Sequence, residues 1–512
     1  MADAAAPAQD DGSISGRLVR NVIFLGIGQA VSTGLGFLLA AALGRTLAPA
    51  EFGIIYLVGT IYGFVGVLID WGQSTYVVRD AARGRADEAE FVGAALAIRV
   101  AGTLAAALGG ALIAGLIGYD GLTMLLVALS ALAGFPGSLA ALFGFVFRGR
   151  DRMDLDVLIG LVAKAIGVVA VIVTLVLSKS LIAVVTVPVI GGIGALVLSL
   201  ALLRRLEIHV RPPSGALVGE LFRTGTPIAV LSLCLGMQSF VDVALLSLLT
   251  GPAVVGWLGG ARTILGIFMA PANILASASF PEMSRAAGSV DDLRRLLTAS
   301  ARVILAIGTF AAIVLLLFAE LAVRATYGSG KLDQAATLLQ ATSLFLPLFF
   351  LNFVIGNAVF AVGRSTAFAI AKVLCMALGA ILGWLAINYT QAHFQNGAIG
   401  VILAYGVMEG LMLYLLASLL PKGAVDRQVP MHLARSYAIF GFAAAAFAIL
   451  PLPLWASAPI LAAVVGAGSL ATGLVLVSDI TRVGEVMTTW VHAAQRVGNA
   501  IAGQWRLSRG RP

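Results

Sequence analysis

Charged residues and cysteines are both scarce in this sequence of 512 residues. Asp, Glu, Lys and Arg together make up 11% of it, whereas 60% is hydrophobic and the mean hydropathy is +1.00. Soluble domains carry about 25% charged residues, so this composition excludes an ordinary soluble fold. The two cysteines, Cys234 and Cys375, both lie in apolar stretches. They support neither a disulfide framework nor a metal site.

Long polar segments are missing as well. Apolar runs of about 20 residues, the length that crosses a ~30 Å hydrocarbon core, recur from Val22 to near Ser478. Runs such as 91–117 are apolar on every face, unlike the alternating strands of membrane barrels. The sequence therefore predicts an all-α polytopic membrane protein. We place about fourteen transmembrane helices, at 21–44, 51–70, 89–117, 121–147, 155–178, 180–203, 220–249, 252–281, 298–323, 335–361, 365–388, 397–420, 433–452 and 456–478.

Basic residues are distributed unequally between the two sides of these spans. Of the 33 Lys and Arg residues, 26 fall on one side, four on the other and three within spans. Cytoplasmic flanks are the ones enriched in Lys and Arg. We therefore expect a multi-pass protein of the bacterial inner (plasma) membrane, with both termini cytoplasmic. Residues 1–16 are polar and lack an apolar h-region, which predicts a disordered cytoplasmic tail rather than a signal peptide.

An internal repeat organises the spans. A shift of 203 residues superposes PAEFG, at Pro49 to Gly53, on PAVVG, at Pro252 to Gly256. Each repeat holds six spans, an even number, so the two halves have the same orientation in the membrane. The predicted parts after the tail are two six-helix lobes at 17–203 and 220–421, a cytoplasmic amphipathic connector at 204–219, two extra spans at 430–478, and a basic amphipathic cytoplasmic tail at 479–512.

Four stretches carry a family resemblance. They are LGRTLAPAEFGIIYL from Leu43, DWGQSTYVVRDAAR from Asp70, QSFVDVALLSLLTGPAVVGW from Gln238 and FPEMSR from Phe280. In these stretches the chain resembles the polysaccharide-export (oligosaccharide flippase) family of the multidrug/oligosaccharidyl-lipid/polysaccharide exporter superfamily. The resemblance implies two V-shaped helical bundles and a transporter rather than an enzyme. The implied activity is movement of a polyprenyl-diphosphate-linked oligosaccharide to the periplasmic leaflet by alternating access, for exopolysaccharide or surface polysaccharide assembly.

Ionisable residues at membrane depth are costly, which makes each one a functional candidate. Arg262 lies about ten residues, or ~15 Å at helical rise, beyond the turn at Gly251, and Asp242 lies at a similar depth before it. Arg262 is therefore a candidate to hold the diphosphate. Asp242 is a candidate to exchange a coupling ion, H⁺ or Na⁺, and no other cofactor or metal is expected. The alternative is a structural pair whose charges neutralise each other.

Further candidates lie in or beside other spans. We also assign to substrate binding Arg45, Gln29, Gln238, Lys164 and Lys372, and to ion coupling Glu409. For each of these an alternative is open: a helix cap for Arg45, interhelical hydrogen bonds for the glutamines, and snorkelling for the lysines. Asp70 is expected to cap its helix or to neutralise Arg79. Arg99 is expected to reflect topology.

Two other functions compete with a flippase. A cation-coupled multidrug antiporter of the same superfamily would want buried carboxylates in the first lobe, whereas Asp242 and Glu409 lie in the second. A membrane-embedded polysaccharide biosynthesis enzyme would need a long loop or a cluster of catalytic side chains, and the sequence offers neither. The expected partners are lipid-linked oligosaccharide, membrane lipids, and the polysaccharide polymerase and chain-length machinery. We expect a monomer that binds no nucleic acid.

Overall fold

The computed structural model describes residues 11–84 and 88–449, together with the single positions 466 and 473. Within these residues every regular element is a helix and there is no strand, which confirms the all-α fold class. The helices in chain order are α1 Asp11–Thr46, α2 Pro49–Asp70, α3 Gln73–Arg83, α4 Glu88–Ile117, α5 Gly121–Ala133, α6 Phe135–Gly149, α7 Met153–Leu177, α8 Leu181–Thr186, α9 Val189–Arg205, α10 Gly215–Leu249, α11 Pro252–Ala286, α12 Val290–Tyr327, α13 Gln334–Ser343, α14 Leu346–Ala361, α15 Ser365–Phe394, α16 Gly397–Ser418 and α17 Gln428–Ile449.

The number of spans can be compared with the predicted fourteen. In the described part, 11 helices are long and apolar enough to cross a membrane, or up to 12 if α13 and α14, bent by 55°, form one span. The predicted span at 456–478 lies outside the described residues, so the count of fourteen stays a prediction. Three predicted spans are interrupted, at α5/α6, α8/α9 and α13/α14. A proline lies at the start of each second half, where its missing N–H costs no helical hydrogen bond.

The helices run alternately between two ends of the bundle. We call outer the end that holds the connections at 47–48, 118–120, 178–180, 250–251, 328–333 and 395–396, and inner the opposite end. Contacts between segments that are distant in sequence join residues of the same end. At the inner end Arg294 Nε donates to Gly423 O at 2.9 Å, and at the outer end Arg45 Nε donates to Thr326 O at 2.8 Å. The charge bias assigns the outer end to the periplasm, and this orientation remains a prediction.

A short helix, α3, lies at the inner end directly after α2. The predicted spans end at 70 and begin again at 89, so no membrane-spanning helix was expected between them. Trp71 and Gly72 both take left-handed backbone angles, with φ of 45° and 71°, which ends α2 and redirects the chain. α3 then buries Val77 and Ala81 on one face. A helix of eleven residues is too short to produce a membrane-span signal in hydropathy.

Two hydrophobic cores hold the helices together. The larger core joins the second six-span lobe to α2 along most of its length and to the outer parts of α1, α4, α5, α7 and α8. The smaller core fills the inner half of the first lobe, and it includes Leu217 and Leu221 from the start of α10. Val243 and Leu246, near the end of the same helix, belong to the larger core. α10 therefore contacts both lobes, and the predicted lobe boundary at residue 220 falls within it.

Candidate functional site

The second lobe contains a cavity of about 620 Å³ between α10, α11, α14, α15 and α16. Tyr56 on α2 is the one residue of the first lobe among its described lining residues. Four charged side chains line the wall: Asp242, Arg262, Lys372 and Glu409. All four were candidates from the sequence, on four different helices and in two different roles, and the fold brings them into one cavity.

Arg262 and Asp242 form an ion pair across two neighbouring helices. Arg262 Nη2 on α11 lies 2.7 Å from Asp242 Oδ2 on α10, and their side chains are 24% and 20% exposed. A single N–H group makes this bond, whereas a guanidinium carries five. Arg262 therefore retains donors that face the cavity and can meet a ligand without first losing Asp242.

Lys372 and Glu409 form a second, looser pair. Lys372 Nζ on α15 lies 3.6 Å from Glu409 Oε1 on α16, which is longer than an ordinary hydrogen bond. Glu409 is fixed from the other side, because Asn352 Nδ2 on α14 donates to its Oε2 at 2.6 Å and to its carbonyl at 2.9 Å. The carboxylate is thus held in place while the flexible lysine remains free to turn toward another anion.

Asn352 was not among the residues predicted from the sequence. A neutral amide in an apolar span carries no net charge, so the argument from the cost of buried charge does not single it out. Its Oδ1 atom is buried and has no hydrogen-bond partner among the described residues. The cavity wall therefore contains an unused acceptor beside Glu409.

Tyr405 borders the same cavity as both ion pairs. It lies one helical turn before Glu409 and packs against Phe349 with ring centroids 5.0 Å apart. Arg262, Asp242, Lys372 and Glu409 therefore form one cluster around the cavity, with two bases, two acids and no net formal charge. Such a balance removes much of the cost of placing charge inside a bilayer.

The other predicted site residues lie at different distances from this cluster. Gln238 lines the cavity beside Asp242. Lys164 lies in the first lobe and donates to Ser32 Oγ at 2.9 Å, while the exposed Gln29 is 3.4 Å from Thr33 Oγ1. Arg45 lies at the outer end, on backbone carbonyls of α12. Cargo contacts for Lys164, Gln29 and Arg45 stay predictions.

The first lobe has a partly buried ion pair that was not predicted from the sequence. Asp70 was expected to cap its helix or to neutralise Arg79. Instead, Arg79 pairs with Asp80 and Asp70 pairs with Arg99, with Nη2 and Oδ1 2.7 Å apart. Arg99 also donates to Ser138 O at 2.8 Å and is only 3% exposed. α4 packs against the end of α2, where a Cβ atom on Gly102 would lie 2.2 Å from Leu68 O, and this contact places Arg99 beside Asp70.

Comparison with known families and structures agrees with the fold. The fold is that of multidrug/oligosaccharidyl-lipid/polysaccharide (MOP) exporters, a class of transporters and flippases. The family model described as polysaccharide biosynthesis protein matches residues 18–287, more than half of the chain. This chain belongs to that family. A second family model, MatE, matches residues 227–385. No curated protein matches the sequence significantly.

Several solved structures share this fold. Lipid II flippase MurJ in an inward closed conformation has a TM-score of 0.67 at 14% identity, over 90% of this chain and 100% of that one. An inward-facing multidrug resistance MATE family transporter has a TM-score of 0.62 at 14% identity, over 78% and 98% of the two chains. A MOP superfamily transporter from Pyrococcus furiosus has a TM-score of 0.54 at 15% identity, over 78% and 95%. At these identities the likeness concerns the fold.

Proposed function

We propose that the protein is a flippase that carries a polyprenyl-diphosphate-linked oligosaccharide from the cytoplasmic to the periplasmic leaflet of the bacterial inner membrane. It works by alternating access and serves exopolysaccharide or surface polysaccharide assembly. The observation that carries this proposal is the placement of two bases, Arg262 and Lys372, in one cavity within the membrane-spanning bundle. A diphosphate is the cargo group that needs two such bases.

The geometry supports a mechanism in which phosphate groups of the cargo take the place of the carboxylates as partners of the two bases. Arg262 presents a planar fork of N–H groups that matches phosphate oxygens, and it holds Asp242 through only one of them. Lys372, at 3.6 Å from Glu409, can turn toward a second phosphate at little cost. Asp242 and Glu409 then lose part of their neutralisation, and a proton or Na⁺ restores it. This sequence of events is the proposed basis of ion coupling.

The glycan requires more room than the second-lobe cavity supplies. About 620 Å³ accommodates a charged head group, which is within the range of small-molecule pockets. The sugars would extend toward the space between the lobes, where Tyr56 of the first lobe borders the cavity. Gln238, on the same wall, would bond sugar hydroxyls. The polymerase and chain-length machinery are the proposed protein partners, acting on the released cargo.

A cation-coupled multidrug antiporter is the second candidate. The match of the MatE family model to residues 227–385 favours it, whereas the position of the cavity carboxylates in the second lobe does not. An organic cation would pair with Asp242 and Glu409, whereas an anionic lipid would pair with Arg262 and Lys372.

Reconstituted vesicles can separate these functions. Vesicles loaded with a fluorescent polyprenyl-diphosphate oligosaccharide would be assayed by the fraction of the glycan that an external glycosidase reaches over time. We expect Arg262→Ala to lower this rate at least tenfold, and Arg324→Ala, an exposed arginine paired with Glu320 at 3.5 Å, to leave it unchanged. Equal rates in the two variants, or export of cationic dyes instead of the lipid, would refute the flippase assignment.

A further inference from the structure

Two glycines pack against each other's helices at the outer end. A Cβ atom on Gly53 of α2 would lie 1.8 Å from Pro252 O, and one on Gly256 of α11 would lie 2.2 Å from Pro49 O. These four residues occupy equivalent positions in the repeated PAEFG and PAVVG segments. The contact is therefore self-complementary, as in a symmetric dimer interface, and it brings the two lobes into backbone contact.

Two basic residues at the same end cap helices of the opposite lobe. Arg45, at the end of α1, donates to Thr326 O at 2.8 Å and to Ala325 O at 2.5 Å, in the last turn of α12. Lys331, which follows α12, donates to Arg45 O at 2.8 Å and to Thr46 O at 3.3 Å. The last carbonyls of a helix have no intrahelical partner and lie at the negative end of its dipole. Each cation thus donates to terminal carbonyl groups of a helix in the other lobe.

Tyr327 fills the space between these contacts. Its hydroxyl donates to Gly260 O on α11 at 2.9 Å, and its ring meets Phe52 on α2 edge-on, with centroids 6.0 Å apart. A Cβ atom on Gly44 of α1 would lie 2.3 Å from the same ring. The side chain is 2% exposed and contacts both lobes. Gly53, Gly256, Arg45, Lys331 and Tyr327 form what we name the outer latch.

We propose that the outer latch is the closed outer gate of the transporter, held by reciprocal contacts that must separate before the charged cavity opens outward. Gly256 precedes Arg262 on α11 by less than two helical turns. Tyr56 links them, because a Cβ atom on Gly259 would lie 2.5 Å from its ring. When α11 moves away from α2, it uncovers the cavity beside Arg262. The inference rests on the alternating access in the proposed function, but not on the identity of the cargo, and it gives Arg45 a gating role.

Thiol labelling can test the latch without any cargo. The native cysteines are replaced (C234A, C375A) and a reporter cysteine is placed on the cavity wall by Ser239→Cys. Spheroplasts are then treated with a membrane-impermeant maleimide, which reaches the cavity only from the outer side. We expect Gly53→Ala to raise the labelling rate at least threefold, since its methyl group collides with Pro252 O. The control is Gly63→Ala on the same helix, where a Cβ atom meets nothing within 4 Å.

The two basic residues of the outer latch, Arg45 and Lys331, allow a second test in which no side chain is enlarged. Arg45→Gln combined with Lys331→Gln removes both caps and should raise labelling in the same direction, while Arg324→Gln should not. Equal labelling of Gly53→Ala and Gly63→Ala would overturn the proposal. If Gly53→Ala fails to accumulate, the test rests on the variant with both Arg45→Gln and Lys331→Gln. An unchanged labelling rate in that variant would overturn the proposal. If the wild-type protein does not transport the lipid but the variants show the expected labelling rates, the proposed cargo is refuted and the outer gate is not.

Discussion

Arg262 Nη2 and Asp242 Oδ2 lie 2.7 Å apart, on two helices that are joined by the turn at Gly251. The two residues were assigned to similar depths from their distances to this turn, and the structure pairs them. Both side chains are largely removed from solvent while still lining the cavity. A pair in this position serves either to neutralise charge or to hold a ligand, and variants of both residues distinguish these roles.

Removal of both members of the pair should separate stability from transport. Arg262→Ala alone leaves Asp242 as an uncompensated carboxylate, which costs about 3 to 5 kcal/mol in buried pairs. Arg262→Ala with Asp242→Asn removes that charge, so we expect thermal stability in detergent to recover while lipid transport stays at least tenfold below wild type. A double variant that transports at the wild-type rate would show that the pair is structural.

Ion coupling should depend on the two carboxylates. Asp242→Asn keeps the size of the side chain but removes its negative charge, so it should abolish acceleration of transport by an imposed H⁺ or Na⁺ gradient. Glu409→Gln should reduce the same response, with Asn352 still able to donate to the remaining side-chain oxygen. Asp333→Asn, at the outer loop beside Gly330 N, serves as the control. Gradient dependence that is unchanged in both cavity variants would exclude these residues as the coupling site.

The positions of the long helices follow from hydropathy, because spans of about 20 apolar residues are dictated by bilayer thickness. Hydropathy also gives the depth of a charged residue, which is why Arg262 and Asp242 could be placed together. It does not give the rotation of a helix that is apolar on every face. The pairing of Lys372 with Glu409 depends on the rotation of α15 and α16, so these two residues were assigned separate roles from the sequence.

Contacts between the lobes are harder still to infer. Arg45 contacts Thr326 across a sequence separation of 281 residues, and no local sequence pattern predicts this contact. The repeat contains part of the information, since PAEFG and PAVVG lie in matching turns. A two-fold relation between the turns allows Gly53 and Gly256 to meet, but it does not require it. Asp70 and Arg99 illustrate the same limit within one lobe, where packing of α4 on α2 decides the partner.

The Asp70–Arg99 pair should respond asymmetrically to substitution. The Arg99 side chain is 4% exposed and that of Asp70 is 34% exposed. Asp70→Asn leaves a buried guanidinium without its counter-ion, for which we expect a loss of about 3 kcal/mol. Arg99→Met leaves a carboxylate that water still reaches, and Ser74 Oγ continues to donate to it, so the loss should be smaller. Thermal unfolding in detergent measures both, with Arg295→Met, at an arginine that is exposed together with its partner Asp292, as the control. A larger loss for Arg99→Met would mean that packing of the arginine stem, rather than its charge, holds α4 against α2.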